Sequence, residues 1–187
     1  MSQSTMVDSQ IANADNARLF QINISDGGVP KLPINTVQVG FDGAQGDRQR
    51  NLKYHGGPNR ALCLYSLERI MALQREGHPI VPGATGENLT LAGIDWDRLQ
   101  PGLQLAIGET LEIEITAYTE PCRDIAGSFV GGSIKRMHQG SHPGWSRVYA
   151  KVLQPGEITV GDRVRLKRWD ARTPGSKTGA HDSVRAL

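Results

Sequence analysis

Short apolar segments separated by glycine and proline are the feature that most constrains the fold of this chain. Its 187 residues include 22 glycines and 10 prolines, which lie between the apolar segments and are not gathered into one linker. Glycine and proline interrupt regular structure, so this spacing is typical of many short strands. The sequence therefore predicts a mostly β fold, arranged as a closed or nearly closed β-barrel with a few peripheral helices.

Residues 103–116 carry the clearest strand pattern. Apolar side chains alternate along 103–107 and again along 111–115, and Gly108-Glu109 lies between them as a turn. The polar side chains of the second strand, Glu112 and Glu114, fall on the opposite face, so one face of this hairpin is predicted to be buried. Weaker strand patterns cover 19–24, 34–39, 61–65, 147–153, 157–160 and 163–168.

Two helices are predicted. The first covers residues 67–76, because Ser66 is a suitable N-cap and Gly77 a suitable end. The second covers roughly 123–138, although its Gly131-Gly132 pair argues against a continuous helix.

The chain is long enough for a single domain with its own core. That domain is predicted to span residues 18–169. The segments 1–17 and 170–187 are polar and aperiodic and are predicted to be flexible tails, because neither can bury an apolar face.

Charge and hydropathy exclude several classes of partner. The net charge is only +2 and no run of lysine and arginine stands out, which disfavours duplex nucleic acid. The N-terminal residues lack the pattern of a signal peptide, and no apolar stretch approaches the ~20 residues that a membrane span needs. We therefore expect a cytoplasmic protein without membrane contact, in which Cys63 and Cys122 are free thiols.

Residues 53–60 (KYHGGPNR) combine paired glycines with cationic side chains. Glycines let backbone amides approach an anion, while the cations surround it with positive charge. The alternative is a hairpin turn with solvated charges, and this segment alone favours the turn. The candidate anion-binding residues are Lys53, His55, Gly56, Gly57 and Arg60.

Residues 83–90 (GATGENLT) place a carboxylate and an amide next to a glycine-rich loop. Glu87 and Asn88 could hold the donors and acceptors of a polar ligand, or could satisfy the backbone of a buried turn. A ligand of cofactor size is held by several segments at once. This segment and residues 53–60 are therefore expected to lie close to Cys122.

Cys122 is the better candidate of the two cysteines for chemistry. It follows the best strand of the chain, directly after Pro121, and the guanidinium of Arg123 favours its thiolate form. A thiolate attacks sulfur and binds soft metals. Cys63 lies among apolar neighbours in ALCLY, where a buried and inert thiol is expected.

Taken in order, these segments resemble the MOSC family, named for the C-terminal domain of molybdenum-cofactor sulfurase. The resemblance covers roughly residues 20–168, and its specificity comes from several motifs in the right order. The matching stretches are Gly27-Gly28-Val29-Pro30-Lys31, Gly46-Asp47, residues 53–68, residues 76–94, Pro121-Cys122 and RVYAKVLQPGEITVGDRV at 147–164.

The resemblance implies one functional cysteine, which falls on Cys122, as the ligand of molybdenum in a molybdenum cofactor (molybdopterin). Stand-alone bacterial members are associated with the reduction of N-hydroxylated bases, a small-molecule substrate class, with electrons from an external electron-transfer protein. The pterin phosphate would lie against residues 53–60, with Arg48 and Arg123 as further contacts, and Glu87 and Asn88 would bind the pterin.

Two alternatives follow from the same family. Cys122 could carry a persulfide for the assembly of metal-sulfur cofactors. This chain has no room for a pyridoxal-phosphate domain, so a separate cysteine desulfurase would supply the sulfur. A non-catalytic module that stores or shuttles the cofactor is the third possibility.

Overall fold

The molecule is mostly β, with one α-helix among the described residues. The computed structural model describes residues 16–48 and 56–167. The strands are β1 (Arg18–Ile24), β2 (Leu32–Ile34), β3 (Thr36–Gly40), β4 (Gly43–Ala44), β5 (Leu62–Ser66), β6 (Leu89–Ala92), β7 (Gln104–Ile107), β8 (Leu111–Tyr118), β9 (Val148–Gln154), β10 (Gly156–Thr159) and β11 (Val164–Lys167). The α-helix is α1 (Leu67–Arg75), and short 3-10 helices cover Pro58–Arg60, Trp96–Arg98, Arg123–Ser128, Val130–Gly132 and Ile134–Met137.

The strands form two sheets. The larger has eight strands in the order β11-β7-β8-β9-β5-β6-β1-β2, and the smaller has the order β10-β3-β4. The pair β5 and β6 is parallel and is connected through α1, while the other named pairs are antiparallel. A parallel pair needs such a crossover connection. The predicted mostly β class, with few helices, is confirmed.

The larger sheet is not closed into a barrel by continuous strand pairing. Arg18 at the start of β1 forms an isolated antiparallel bridge with Arg163, just before β11. Close by, the amide of Val164 donates to the carbonyl of Ala17 at 2.9 Å. These contacts join the two ends of the described chain over a few residues only, so the prediction of a closed barrel is not confirmed.

The predicted hairpin and its buried face are confirmed. Leu105 lies opposite Ile113 and Ile107 opposite Leu111, and all four side chains are fully buried. On the other face, Glu114 pairs with Lys151 of β9 at 2.8 Å. The alternation of the sequence therefore placed each side chain on the correct face.

Helix α1 is confirmed, and the second predicted helix is wrong. The Oγ of Ser66 accepts a hydrogen bond from the amide of Arg69 at 3.2 Å, which is the expected N-cap. Residues 123–138 instead form three short 3-10 helices, and Gly131, within the second of them, has φ of 68°. A left-handed residue cannot continue a right-handed helix, so the glycine pair divides the segment.

Other strand predictions need smaller corrections. The segment 34–39 is divided at Asn35 between β2 and β3, and β6 was not predicted as a strand. No helix in the described ranges is long and apolar enough to cross a bilayer. The predicted tails lie almost wholly outside the described residues, and the domain limits of 18–169 stay a prediction.

Candidate functional site

A cavity of about 760 Å³ lies where β8 ends, against β5 and β9. This volume is within the range of ordinary small-molecule and cofactor sites. Several loops close its walls, and they are widely separated in sequence. Its lining residues are Gly28, Val29, Lys31, Arg48, Arg60, Cys63, Thr85, Gly86, Asn88, Ala117, Tyr118, Glu120, Pro121, Cys122, Asp124, Ile125, Arg147 and Tyr149.

Cys122 lies in the cavity wall just beyond the end of β8. Its backbone is extended (φ −108°, ψ 166°), and its carbonyl accepts from the amide of Ile125 at 3.3 Å as the first 3-10 helix begins. The side chain is half-buried and packs against the hydrophobic core. This position gives a free thiol that a ligand in the cavity can contact.

Cys63 lines the same cavity from the interior of β5. It pairs with Tyr149 of β9, and it is buried, as predicted. Its amide donates to Oδ1 of Asn88 at 3.1 Å, and its carbonyl accepts from the Asn88 amide at 2.7 Å. Burial raises the pKa of the Cys63 thiol even though Arg147 lies nearby and acts to lower it. The thiol form is therefore favoured at neutral pH.

Arg147 is a buried cation in the cavity wall. It is 5% exposed, and its Nη1 donates to the carbonyl of Thr85 and lies 4.0 Å from the sulfur of Cys63. Its Nε is buried without a hydrogen-bond partner. Burial acts to lower the pKa of Arg147, but its interactions with Cys63, Tyr149 and Glu87 outweigh that effect and the net shift is upward. Arg147 therefore carries its charge at every physiological pH.

A second cation of the wall, Lys31, is fully paired. Its Nζ forms an ion pair with Oδ2 of Asp47, and both side chains are buried. The same carboxylate accepts from Nδ2 of Asn88 at 2.9 Å and, through Oδ1, from the amide of Ser25 at 2.9 Å. A buried pair with these extra hydrogen bonds is satisfied internally. Lys31 therefore holds the cavity wall in place, and Asp47 already neutralises the charge that a ligand could otherwise bind.

Two arginines lie at more exposed positions of the cavity. Arg48 pairs with Asp26 at 3.0 Å, and both side chains are mostly exposed. The guanidinium carbon of Arg60 lies 5.5 Å from the ring centroid of Tyr149, which is a cation–π distance. Burial raises the pKa of Tyr149 to about 12, so its hydroxyl stays protonated at neutral pH.

The structure brings four of the predicted site residues to this one cavity: Arg48, Arg60, Asn88 and Cys122. Gly56, Gly57, Glu87 and Arg123 are described but do not line it. Lys53 and His55 lie outside the described residues. The role of each residue toward a ligand stays a prediction.

Glu87 holds the loop of residues 83–87 together from behind the cavity wall. It is fully buried, and its carboxylate accepts from the amide of Gly83 at 2.6 Å and from Oγ1 of Thr85 at 2.7 Å. Of the two readings that the sequence left open, these contacts favour the buried turn. The side-chain amide of Asn88 is also hydrogen-bonded to the protein, since Nδ2 donates to Asp47 and to the Asn23 carbonyl at 3.3 Å.

Sequence reasoning missed Arg147 and Tyr149. Both belong to the segment RVYAKV, where residues two apart share one face of a strand. Arg147 shares its face with Tyr149 and Lys151, so the polar pattern of that face gave no signal that the arginine is buried. Sequence alone did not show which face of that segment meets a cavity.

In the described part of the chain, no three His, Cys, Asp or Glu side chains lie close enough together to hold a metal ion.

Comparison with known proteins supports the family resemblance seen in the sequence. The sequence model of the MOSC domain matches residues 51–165. The chain is 28% identical to the protein YflK of Bacillus subtilis (strain 168) over 141 residues, which is 74% of this chain and 62% of YflK. It is 33% identical to the protein YiiM of Escherichia coli (strain K12) over 129 residues, which is 66% of this chain and 56% of YiiM. The chain thus spans less than two thirds of these curated relatives.

A solved structure shares the fold. The crystal structure of YiiM from Geobacillus stearothermophilus superimposes with a TM-score of 0.59 at 25% sequence identity. The match covers 81% of this chain and 75% of that one.

Proposed function

This chain belongs to the MOSC domain family, and from that premise we propose that it binds a molybdenum cofactor in the cavity, with Cys122 as the protein ligand of the metal. It uses that cofactor to reduce N-hydroxylated substrates, and an external electron-transfer protein supplies the electrons. The observation that carries the proposal is the half-buried free thiol of Cys122 in the wall of a cavity of about 760 Å³.

The chemistry of the cavity fits such a cofactor. A thiolate is a suitable ligand for a soft metal, and cationic groups suit an anionic pterin phosphate. Arg48 and Arg60 line the cavity, and the backbone amides of Gly56 and Gly57 with the side chains of Lys53 and His55 are proposed to complete the phosphate site.

The two cysteines have different roles in this proposal. When bound, the cofactor supplies the two-electron chemistry that converts an N–OH group and two protons into N–H and water. Cys122 anchors the metal, while Cys63 stays a protonated thiol because burial raises its pKa. The hydroxyl of Tyr149 also stays protonated and can donate a hydrogen bond to the ligand.

Metal and pterin analysis of protein from a host that makes the cofactor tests the proposal. We expect about one molybdenum and one pterin per wild-type chain, retention of both in Cys63→Ser, and loss of molybdenum in Cys122→Ser, because a serine hydroxyl is a hard and weakly acidic group. Turnover of an N-hydroxylated base with a reduced electron donor should fall with the molybdenum content.

Other results would point to the alternatives. Wild-type protein without molybdenum, but with sulfane sulfur on Cys122 after incubation with a cysteine desulfurase, would establish the persulfide carrier. Bound cofactor without turnover would support the third possibility, a non-catalytic module that stores or shuttles the cofactor. Full activity of Cys122→Ser would refute both of the mechanisms that depend on this cysteine.

A further inference from the structure

Arg147 lines the cavity and leaves part of its guanidinium group without a hydrogen-bond acceptor. Within the described residues, its side-chain hydrogen bonds use Nη1, toward Thr85 and Cys63. Nε is closed off from solvent and has no partner, and Nη2 has no acceptor within residues 16–48 and 56–167. The Nη2 edge is therefore the part of the guanidinium that is left for a ligand, and a charged N–H group is a strong donor to an oxyanion.

The surroundings of this edge do not neutralise it. No carboxylate of the described residues lies within ion-pair distance of Arg147, and the nearby carboxylate of Glu87 is committed to Gly83 and Thr85. A buried charge without a partner is costly, and proteins normally resolve it with a counter-ion or a ligand. Arg147 therefore differs from Lys31, whose charge Asp47 already compensates.

Glycine at position 86 keeps the loop open beside the guanidinium. Its φ is +85°, and a Cβ there would lie 2.9 Å from Cγ1 of Val29 and 3.7 Å from Nη1 of Arg147. The hydrogen bond to the Thr85 carbonyl holds the guanidinium against this loop. The cation is thus oriented in advance and needs little reorganisation to accept an anion.

We propose that the Nη2 edge of Arg147 is an oxyanion-binding site in the cavity wall, separate from residues 53–60, that takes one phosphate-like group. It rests on the proposed function only in placing a ligand in this cavity. The phosphate can belong to a second, phosphorylated ligand, or to the bound cofactor, in which case Arg147 replaces residues 53–60 as the site of the cofactor's phosphate. The recognition chemistry is the same in both cases.

Thermal melts of cofactor-free protein with inorganic phosphate test the site. The variants are Arg147→Met, which removes the charge at similar length, and Arg147→Lys, which keeps the charge but loses the planar guanidinium. The control is Arg98→Met, which removes an exposed arginine that does not line the cavity. At about 100 times Kd we expect the wild-type Tm to rise by roughly 5–10 °C. Arg98→Met should rise equally, Arg147→Lys much less, and Arg147→Met not at all.

Each other result overturns the proposal. No rise in wild type, or an equal rise in Arg147→Met, means that phosphate binds elsewhere or not at all. If Arg147→Met does not fold, crystals of the wild type soaked in selenate decide the question, since an anomalous peak must lie within hydrogen-bond distance of Nη2. Its absence there refutes the site.

Two further experiments test this site independently of the proposed function and identify the source of the phosphate. Cys122→Ser should lose molybdenum yet keep the full response to phosphate, so the two proposals fail independently. Cofactor-loaded wild type that no longer responds to inorganic phosphate shows that the cofactor's own phosphate fills the edge. A persisting response assigns the edge to a second ligand.

Discussion

The two cysteines share one cavity, yet their surroundings differ. Cys122 is half-buried after the end of β8, whereas Cys63 is buried within β5 beside Arg147. Burial penalises the thiolate of Cys63 more than the arginine stabilises it, so its pKa is raised. At the scale of single residues, exposure therefore favours Cys122 for chemistry, and the raised pKa of Cys63 disfavours Cys63.

This contrast predicts the order of thiol labelling. With iodoacetamide at pH 8, native protein should be modified at Cys122 first, because the reagent reaches the half-buried thiol. Cys63 should react only when the pH rises well beyond the ordinary cysteine range or when the protein unfolds, since only its thiolate attacks. Peptide mass spectrometry at several pH values measures this order, and preferential modification of Cys63 would overturn the assignment.

Cys63→Ser should lower stability and spare the cofactor. A buried serine hydroxyl without a good partner costs roughly 1–3 kcal/mol. Cys122→Ser is the matched control, because the same change at a half-buried loop position should leave the melting temperature nearly unchanged. Urea unfolding of both variants gives the comparison, and equal stability of the two would contradict it.

At the scale of elements, the loop of residues 83–88 is built by close backbone approach. Gly83 has φ of +85°, and its carbonyl accepts from the amide of Lys31 at 2.9 Å. A Cβ at this glycine would collide with the Lys31 carbonyl and lie 3.1 Å from Oδ1 of Asn23. The loop that carries Thr85 and Asn88 into the cavity therefore requires glycine here.

Gly83→Ala should consequently be much more destabilising than Gly102→Ala. Both glycines have positive φ, but a Cβ at Gly102 meets nothing within 4 Å. Backbone strain is thus common to both variants, while the collision should add about 1–3 kcal/mol to Gly83→Ala only. Chemical denaturation of the pair measures the difference, and equal costs would show that the loop moves aside without penalty.

At the scale of the whole molecule, the two ends of the described chain are joined. Besides the bridge of Arg18 with Arg163, the amide of Leu19 donates to the Asp162 carbonyl at 2.8 Å. Val164 of β11 is fully buried opposite Ile107. The last strand therefore covers apolar side chains of the hairpin and ties β1 to the far edge of the large sheet.

Deletion of residues 161–187 should abolish a cooperative thermal transition, because it uncovers Ile107 and Leu105 and removes the contacts to β1. Deletion of 170–187 is the control. The sequence predicts no apolar face in that segment, so the melting temperature should not change. Circular dichroism melts of both truncations test this. A wild-type transition in the longer deletion would show that β11 contributes little.

The sequence by itself determined the strand-rich class, the 103–116 hairpin, the start of α1 at its Ser66 cap and the contrast between the two cysteines. Each depends on neighbours in sequence: alternation sets the face of a strand, and a cap sets a helix start. Even the error over 123–138 was local, because Gly131-Gly132 carried the signal that breaks the helix.

Only the tertiary structure decided which residues share the cavity. Arg147, Thr85 and Cys63 come from three distant segments, and they meet because β9 pairs with β5 while the loop of residues 83–88 closes over both. Sequence could propose Glu87 as a ligand residue or as a turn residue, but only its contacts to Gly83 and Thr85 favour the turn. Long-range pairing leaves no trace in local periodicity, so the unsatisfied edge of Arg147 could be seen only in the folded chain.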